Sequence, residues 1–148
     1  MDVSGTIDSI LGQKPGEVYA ISPDATVLEA VNLMADKNIG ALIVTENDKL
    51  VGLVSERDYT RKIVLHGKRS RETPVREIMS TSLTVIHPHE PVENCLRMMT
   101  EKRIRHLPVV KGDQVCAVIS IGDLVKHVIS CQSAALEHLE TYITGGYR

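Results

Sequence analysis

Two short runs in the chain place a serine and an aspartate three residues apart at the end of an apolar stretch. They are LVGLVSERD, Leu50 to Asp58, and VCAVISIGD, Val115 to Asp123. Ser55 and Ser120 lie 65 residues apart, as do Asp58 and Asp123. Each run reads as a buried strand that hands over to a helix. One chemistry such a place offers is a capping box, in which serine and carboxylate satisfy each other's backbone N–H groups. The other is ligand binding, because a helix start presents free N–H groups and the positive end of its dipole. Duplication does not separate the two, since a cap is copied as faithfully as a site, and both roles can coexist.

A second concentration of chemistry is Lys102-Arg103-Ile104-Arg105-His106. Cations there can neutralise a helix C-terminus, or grip an anion, for which arginine's fixed fork of donors is suited. One repeat earlier the same positions hold Lys37-Asn38-Ile39-Gly40-Ala41, so the cationic character belongs to one copy. His87-Pro88-His89-Glu90 has metal-binding side chains but no fixed third ligand, and reads as surface. No G-x-S-x-G, H-E-x-x-H, Walker sequence or reactive-cysteine setting occurs, so no catalytic residue and no metal site is expected.

The elements that must position these residues follow from spacing. Thr26 caps a helix with Val27, Ala30, Val31 and Met34 on one face. Ala41 to Thr45 and Leu50 to Val54 form a hairpin, and Ser55 opens a helix to about Leu65. Ahead of these, Ser4 to Leu11 forms a short helix ended by Gly12, and Val18 to Ile21 is extended. His66 to Thr73 is polar and basic and reads as a linker; Thr73-Pro74 restarts the chain as an N-cap followed by Pro at the first helical position. The pattern then returns: a short helix to Met79, an extended Leu83 to Ile86, a helix through Val92, Cys95, Leu96 and Met99, strands at Leu107 to Val110 and Val115 to Ile119, and a last helix from Ser120 to about Thr144, ended by Gly145-Gly146.

Sliding Val18–Ile63 over Leu83–Val128 needs no gap, and eleven positions match, among them Pro23/Pro88, Met34/Met99, Leu42/Leu107, Val44/Val109, Ser55/Ser120 and Asp58/Asp123. The chain is an internal duplication. Its divisions are 1–65 with the N-terminal helix, a basic linker at 66–74, and 75–148 with the C-terminal helix. The expected fold is α/β, two pseudo-symmetric β-α-β-β-α repeats packed sheet to sheet, with two crevices between them. The link from Leu11 to Pro23 is three residues longer than that from Met79 to Pro88.

Composition narrows the function. With 148 residues and no Phe or Trp, the core is aliphatic, and a chain this size buries roughly 68–70% of its unfolded surface without needing metal or disulfide. A net charge of −2 gives no reason to expect nucleic acid or membrane as partner; the basic stretch His66 to Arg71 is short and lacks aromatic neighbours. MDVSGTID has acid where a leader needs base, and no apolar run approaches ~18 residues. Three cysteines, Cys95, Cys116 and Cys131, without C-x-x-C spacing fit a reducing cytoplasm.

A repeat of this length with S-x-x-D after its last strand, an LPVV strand (Leu107 to Val110) and a D-x-T-V start (Asp24 to Val27) resembles the CBS motif, named after cystathionine β-synthase. Two in tandem resemble a stand-alone Bateman module, and the likeness runs from about Ile7 to Val128. It implies a regulatory, non-catalytic module that binds an adenosine-containing ligand, such as AMP, ATP or NAD/NADH, in the crevices, pairs as a homodimer and regulates a partner protein. The alternative is an interaction module with no physiological nucleotide. By this resemblance Asp58 and Asp123 accept the ribose diol and Ser55 and Ser120 touch ribose or phosphate; hydrogen bonds to a charged group are worth about 1.5–3 kcal/mol. It places Arg105 and His106 on the phosphates of the crevice of Ser120 and Asp123, walled by Lys14, Val18, Ile39, Gly40 and Ala41; Arg103 of the same basic run is a further ligand contact. The crevice of Ser55 and Asp58 is then walled by Thr81, Ser82, Leu83 and Ile104, with Arg57 at hand; Pro108 is a further candidate contact, assigned to neither crevice. The two sites are expected to be unequal. The last helix, with Leu124, Val128, Cys131, Ala135 and Leu139 on one side, offers a dimer contact.

Overall fold

The computed structural model describes residues 5–13 and 17–143, apart from the side chains of 135, 138 and 140–143. The expectations at Ser4, Lys14 and Gly145-Gly146, and those on the side chain of Ala135, lie outside these residues. Helix α1 (Ile7–Leu11) leads into β1 (Ala20–Ile21), α2 (Val27–Lys37), β2 (Ala41–Glu46) and β3 (Lys49–Ser55). A short α3 (Glu56–Asp58) continues as a π-helix, Tyr59–Val64. After a 3-10 turn at Val75–Glu77 come α4 (Val92–Lys102), β4 (His106–Lys111), β5 (Gln114–Ser120) and α5 (Ile121–Ile143).

The duplication shows in matching devices. Thr26 and Glu29 close a capping box on α2, each side chain bonding the other's backbone N–H at 3.1 Å. α2 buries Val27, Ala30 and Met34, and α4 buries Val92, Cys95 and Met99 at the equivalent positions. Both helices end on a left-handed residue, Asn38 at φ 54° and Arg103 at φ 53°. Asn47 and Asp48, at φ 53° and 62°, make the two-residue turn between β2 and β3; positive φ at both positions is the primed turn that matches strand twist.

Three expectations change. The extended segment Leu83 to Ile86 is not a strand; a single parallel bridge joins Ile86 to Val109. In the first repeat β1 lies parallel to β2, and Ile43 N–H donates to the Tyr19 carbonyl at 3.3 Å. Pro108 occupies the counterpart of Ile43 and has no N–H to donate, so that bond cannot form. The helix opened by Ser55 is α-helical for only one turn before it widens. Thr73 is not an N-cap: Pro74 holds that position in extended conformation, and Thr73 Oγ1 donates back to the Arg69 carbonyl at 2.8 Å. The first N–H groups of the 3-10 turn, those of Val75 and Arg76, already bond the carbonyls of Ala25 and Pro23 at 2.8 and 2.9 Å.

Those last bonds belong to a reciprocal exchange. Ile7 and Asp8 N–H donate to Glu90 and Pro88 carbonyls at 3.0 and 2.9 Å, the counterparts of Ala25 and Pro23. Accordingly Ile7 and Ile10 are buried in one core with Ile86, Val92, Cys95, Met99, Leu107, Ile119 and Leu124. Val75 and Ile78 are buried in the other, with Val27, Met34, Leu42, Val44, Val54 and Ile63. Each repeat is completed by the helical turn that leads the other. The three-stranded sheet β1-β2-β3 and the hairpin β4-β5 are separate, and Ser80 docks on β3 through mutual backbone bonds with Leu53 at 2.8 and 3.0 Å.

Candidate functional site

Both strand-to-helix handovers are capping boxes. Ser55 N–H and Oγ donate to Asp58 Oδ2 at 2.9 and 3.1 Å, and Asp58 N–H donates to Ser55 Oγ at 3.3 Å. Ser120 N–H donates to Asp123 Oδ2 at 2.8 Å, and Asp123 N–H to Ser120 Oγ at 3.1 Å. Each handover is also tied to the residue ahead of the neighbouring strand: Glu56 N–H donates to the Gly40 carbonyl at 3.1 Å, and Ile121 N–H to that of Arg105 at 2.8 Å. The boxes hold both carboxylates still while leaving oxygen lone pairs for a further partner. At Asp58 that partner is Lys62, whose Nζ lies 3.0 Å from Oδ1 and also donates to the Ile78 carbonyl at 2.8 Å.

The two handovers open into two crevices. Ser120 and Asp123 line one of about 500 Å³, walled by Leu11, Val18, Tyr19, Ile39, Gly40, Ala41 and the β5 residues Cys116 to Val118. Its described charged residues are Asp8, Glu17, Asp123 and Lys111, with His106 at the edge. Tyr19 O–H donates to Glu17 Oε2 at 2.7 Å, and that bond to a carboxylate, with some burial, raises the phenol's pKa.

Ser55 and Asp58 line the other, of about 700 Å³, walled by Leu53, Ser80, Ser82, Leu83, Thr84, Ile104, Pro108 and Ile121. Arg57, Arg61, Lys62, Lys102, Arg103 and Arg105 surround it, against Glu56 and Asp58. Arg57 Nη1 donates to the Arg103 carbonyl at 2.9 Å across the repeats, and Lys102 Nζ to Thr84 Oγ1 at 2.8 Å.

Val18, Ile39, Gly40 and Ala41 line the crevice of Ser120 and Asp123, and Gly40 lines the other as well. Ser80, Ser82, Leu83, Ile104, Pro108 and Arg57 line the crevice of Ser55 and Asp58, and Thr81 is not among its lining residues. Arg105 is displaced from expectation, and Arg103 lies with it. They line the crevice of Ser55 and Asp58 and not that of Ser120 and Asp123, while His106 borders both. Gly40 neighbours His106, since a Cβ there would stand 3.4 Å from His106 Nε2, and these two residues line both crevices. The inequality expected of the crevices is present with its sign reversed.

Sequence reasoning missed Arg61 and Lys62. Their signal was available, because i+3 and i+4 from Asp58 share its helix face. Elsewhere His87 Nδ1 lies 3.0 Å from the Val110 carbonyl and His89 Nδ1 3.3 Å from Asp8 Oδ2. No group of three or more His, Cys, Asp or Glu able to hold a metal occurs among the described residues, and none of their helices is long and apolar enough to cross a membrane.

The family model described as CBS domain matches residues 15–65 and 75–130. An Arabidopsis thaliana CBS domain-containing protein, CBSX3, described as mitochondrial, is 37% identical over 97% of this chain and 74% of its own length. Among solved structures, a candidate signal-transduction protein with CBS domains from Burkholderia ambifaria is 43% identical, with TM-score 0.83 over 85% of this chain and 95% of its own. The CBS domain pair of protein MJ0100, solved with 5′-methylthioadenosine and S-adenosyl-L-methionine, shares the fold at 21% identity and TM-score 0.75, over 87% of this chain and 98% of its own.

Proposed function

From the premise that this chain belongs to the CBS domain family and is a tandem CBS pair, we propose that it is a regulatory module whose crevices bind an adenosine-containing ligand and whose ligand state is passed to a partner protein. The observation that carries this is the repeated Ser–Asp box: each carboxylate is immobilised at the mouth of a crevice large enough for a nucleoside. AMP, ATP and NAD-type ligands share the ribose diol that such a carboxylate accepts, so the reading extends to energy or redox sensing. The adenosine compounds bound by MJ0100 support the ligand class. Three cysteines without C-x-x-C spacing fit a reducing compartment such as the cytoplasm, and the exposed Val125, Ile129, Leu136 and Leu139 of α5 fit pairing with a second copy.

One observation favours a second reading, an interaction module without a nucleotide: the boxes are complete as helix caps. Thermal unfolding with AMP, ATP, NAD, NADH and S-adenosylmethionine decides between them, using the natural chain with Asp58→Asn and Asp123→Asn, which keep a capping side chain. Ligand at 100 times its dissociation constant adds about 2.7 kcal/mol, and each kcal/mol moves the midpoint by roughly 2–4 °C at this size. The module reading expects a shift of several degrees that one Asn variant removes. No shift with any of the five makes the boxes caps and leaves the interaction module.

A further inference from the structure

We infer that the two crevices sort ligands by charge: the crevice of Ser55 and Asp58 takes a nucleoside bearing a chain of phosphates, and that of Ser120 and Asp123 takes one whose 5′ end carries no such chain. This rests on the adenosine-ligand reading above and adds the ligand class of each site.

The first observation is the count of fixed charge. Six Lys and Arg line the larger crevice against two carboxylates, while three carboxylates line the smaller against Lys111 among its described residues. His106 borders both and does not discriminate. The second observation is which cations are committed. Arg57 is held by the Arg103 carbonyl, Lys62 by Asp58 and Ile78, and Lys102 by Thr84. Arg61, Arg103 and Arg105 remain, and among the described residues no hydrogen bond or ion pair engages their guanidinium groups.

Three uncommitted guanidinium groups around one cavity repel each other, and a polyanion removes that repulsion while taking up their forks of donors in pairs. The third observation is backbone. Arg103 adopts φ 53°, a left-handed conformation uncommon for a residue with a side chain, while its counterpart Asn38 is of the type that tolerates it. An arginine is kept where asparagine or glycine is the easier choice, and it faces the cationic crevice. In the smaller crevice Asp8 and Glu17, which have no acidic counterparts lining the larger, oppose a phosphate chain by the same Coulomb term with the opposite sign.

The test measures dissociation constants of adenosine, AMP and ATP for the full chain by calorimetry at two salt concentrations, with inorganic tripolyphosphate as a fourth probe. The variants are Arg61→Gln/Arg105→Gln and, in the other crevice, Lys111→Gln. The expected result is that ATP binds more than about tenfold tighter than adenosine, a difference of about 1.4 kcal/mol. Added salt should weaken ATP far more than adenosine, and the double variant should remove the ATP advantage with adenosine unchanged. Arg103→Gly, which relieves the left-handed arginine, should melt no lower than the natural chain and still lose ATP affinity, which separates ligand contact from folding.

Equal affinity for ATP and adenosine overturns the charge sorting while the adenosine reading stands. So does an ATP advantage kept in the double variant and lost in Lys111→Gln. Tripolyphosphate bound without any adenosine compound overturns the adenosine reading and, with it, the assignment of a nucleoside to this crevice. Binding of none of the four overturns both.

Discussion

Cys95 shows how far burial can silence a reactive group. It has no exposed surface in the core of the second repeat, and burial, assisted by the nearby charge of Glu90, pushes its thiol up to about 11. A raised thiol pKa means the folded chain holds a proton that the unfolded chain releases from about pH 9. Stability from this group is therefore full below pH 9 and falls as pH rises toward 11, by at most about 1.4 kcal/mol per pH unit for one proton. Urea midpoints from pH 8 to 11 should fall more steeply for the natural chain than for Cys95→Val; parallel slopes would show that the thiol ionises without penalty. The apolar helical spacing around Cys95 made this reading available from sequence. So did the spacing of Ser55 with Asp58 and Ser120 with Asp123, since local geometry alone closes those boxes. The crevice to which Arg105 belongs was not legible, because it is set by how the two repeats pack and not by local spacing.

At the scale of elements, the hairpins were readable because alternating apolar runs and two-residue turns are local signals. The register irregularity between Val44 and Thr45, repeated between Val109 and Val110, was not, and neither was the loss of a first strand in the second repeat. That loss traces to the one amide missing at Pro108 and is legible only once Ile43 is seen bonding Tyr19. Gly52 in β3 makes a related point. Its counterpart is Ala117, so the duplication itself offers alanine as the natural substitute, yet a Cβ at Gly52 would lie 2.6 Å from Met79 Sδ and 3.1 Å from the Ser80 carbonyl. The methionine can move, but the carbonyl is held by the Leu53–Ser80 bonds. Gly52→Ala should therefore destabilise by about 1–3 kcal/mol, the range for overpacking, despite the few tenths that alanine gains in the unfolded chain. Chemical denaturation measures this directly, and an unchanged midpoint would mean that Ser80 is not docked on β3 as described.

For the whole molecule the informative feature is that chain order and packing disagree. Chain order groups α1 with the first repeat, whereas its side chains Ile7 and Ile10 complete the core of the second. Link length does not announce the crossing, because the turn at Val75 crosses equally with a link from Met79 to Pro88 that is three residues shorter than that from Leu11 to Pro23. Hydrogen bonds from Ile7 to Glu90 and from Val75 to Ala25 carry no residue signature, since any backbone can make them. The exchange makes the two cores mutually dependent, because neither repeat holds its own closing turn. Ile7 has no exposed surface, so Ile7→Ala should cost about 2–5 kcal/mol, the range for truncating a buried large aliphatic residue. The loss should also appear far from residue 7 along the chain. Native-state hydrogen exchange should show protection falling at Cys95, Met99, Val109 and Ile119, and, through the reciprocal turn at Val75, falling with it at Val27 to Met34. A single cooperative unfolding transition should persist. If protection is lost only across residues 5–13, α1 is a dispensable appendage and the crevices between the repeats do not depend on it. If it is lost in the second repeat alone, the cores unfold separately, and a ligand in one crevice has no route through folding stability to the other.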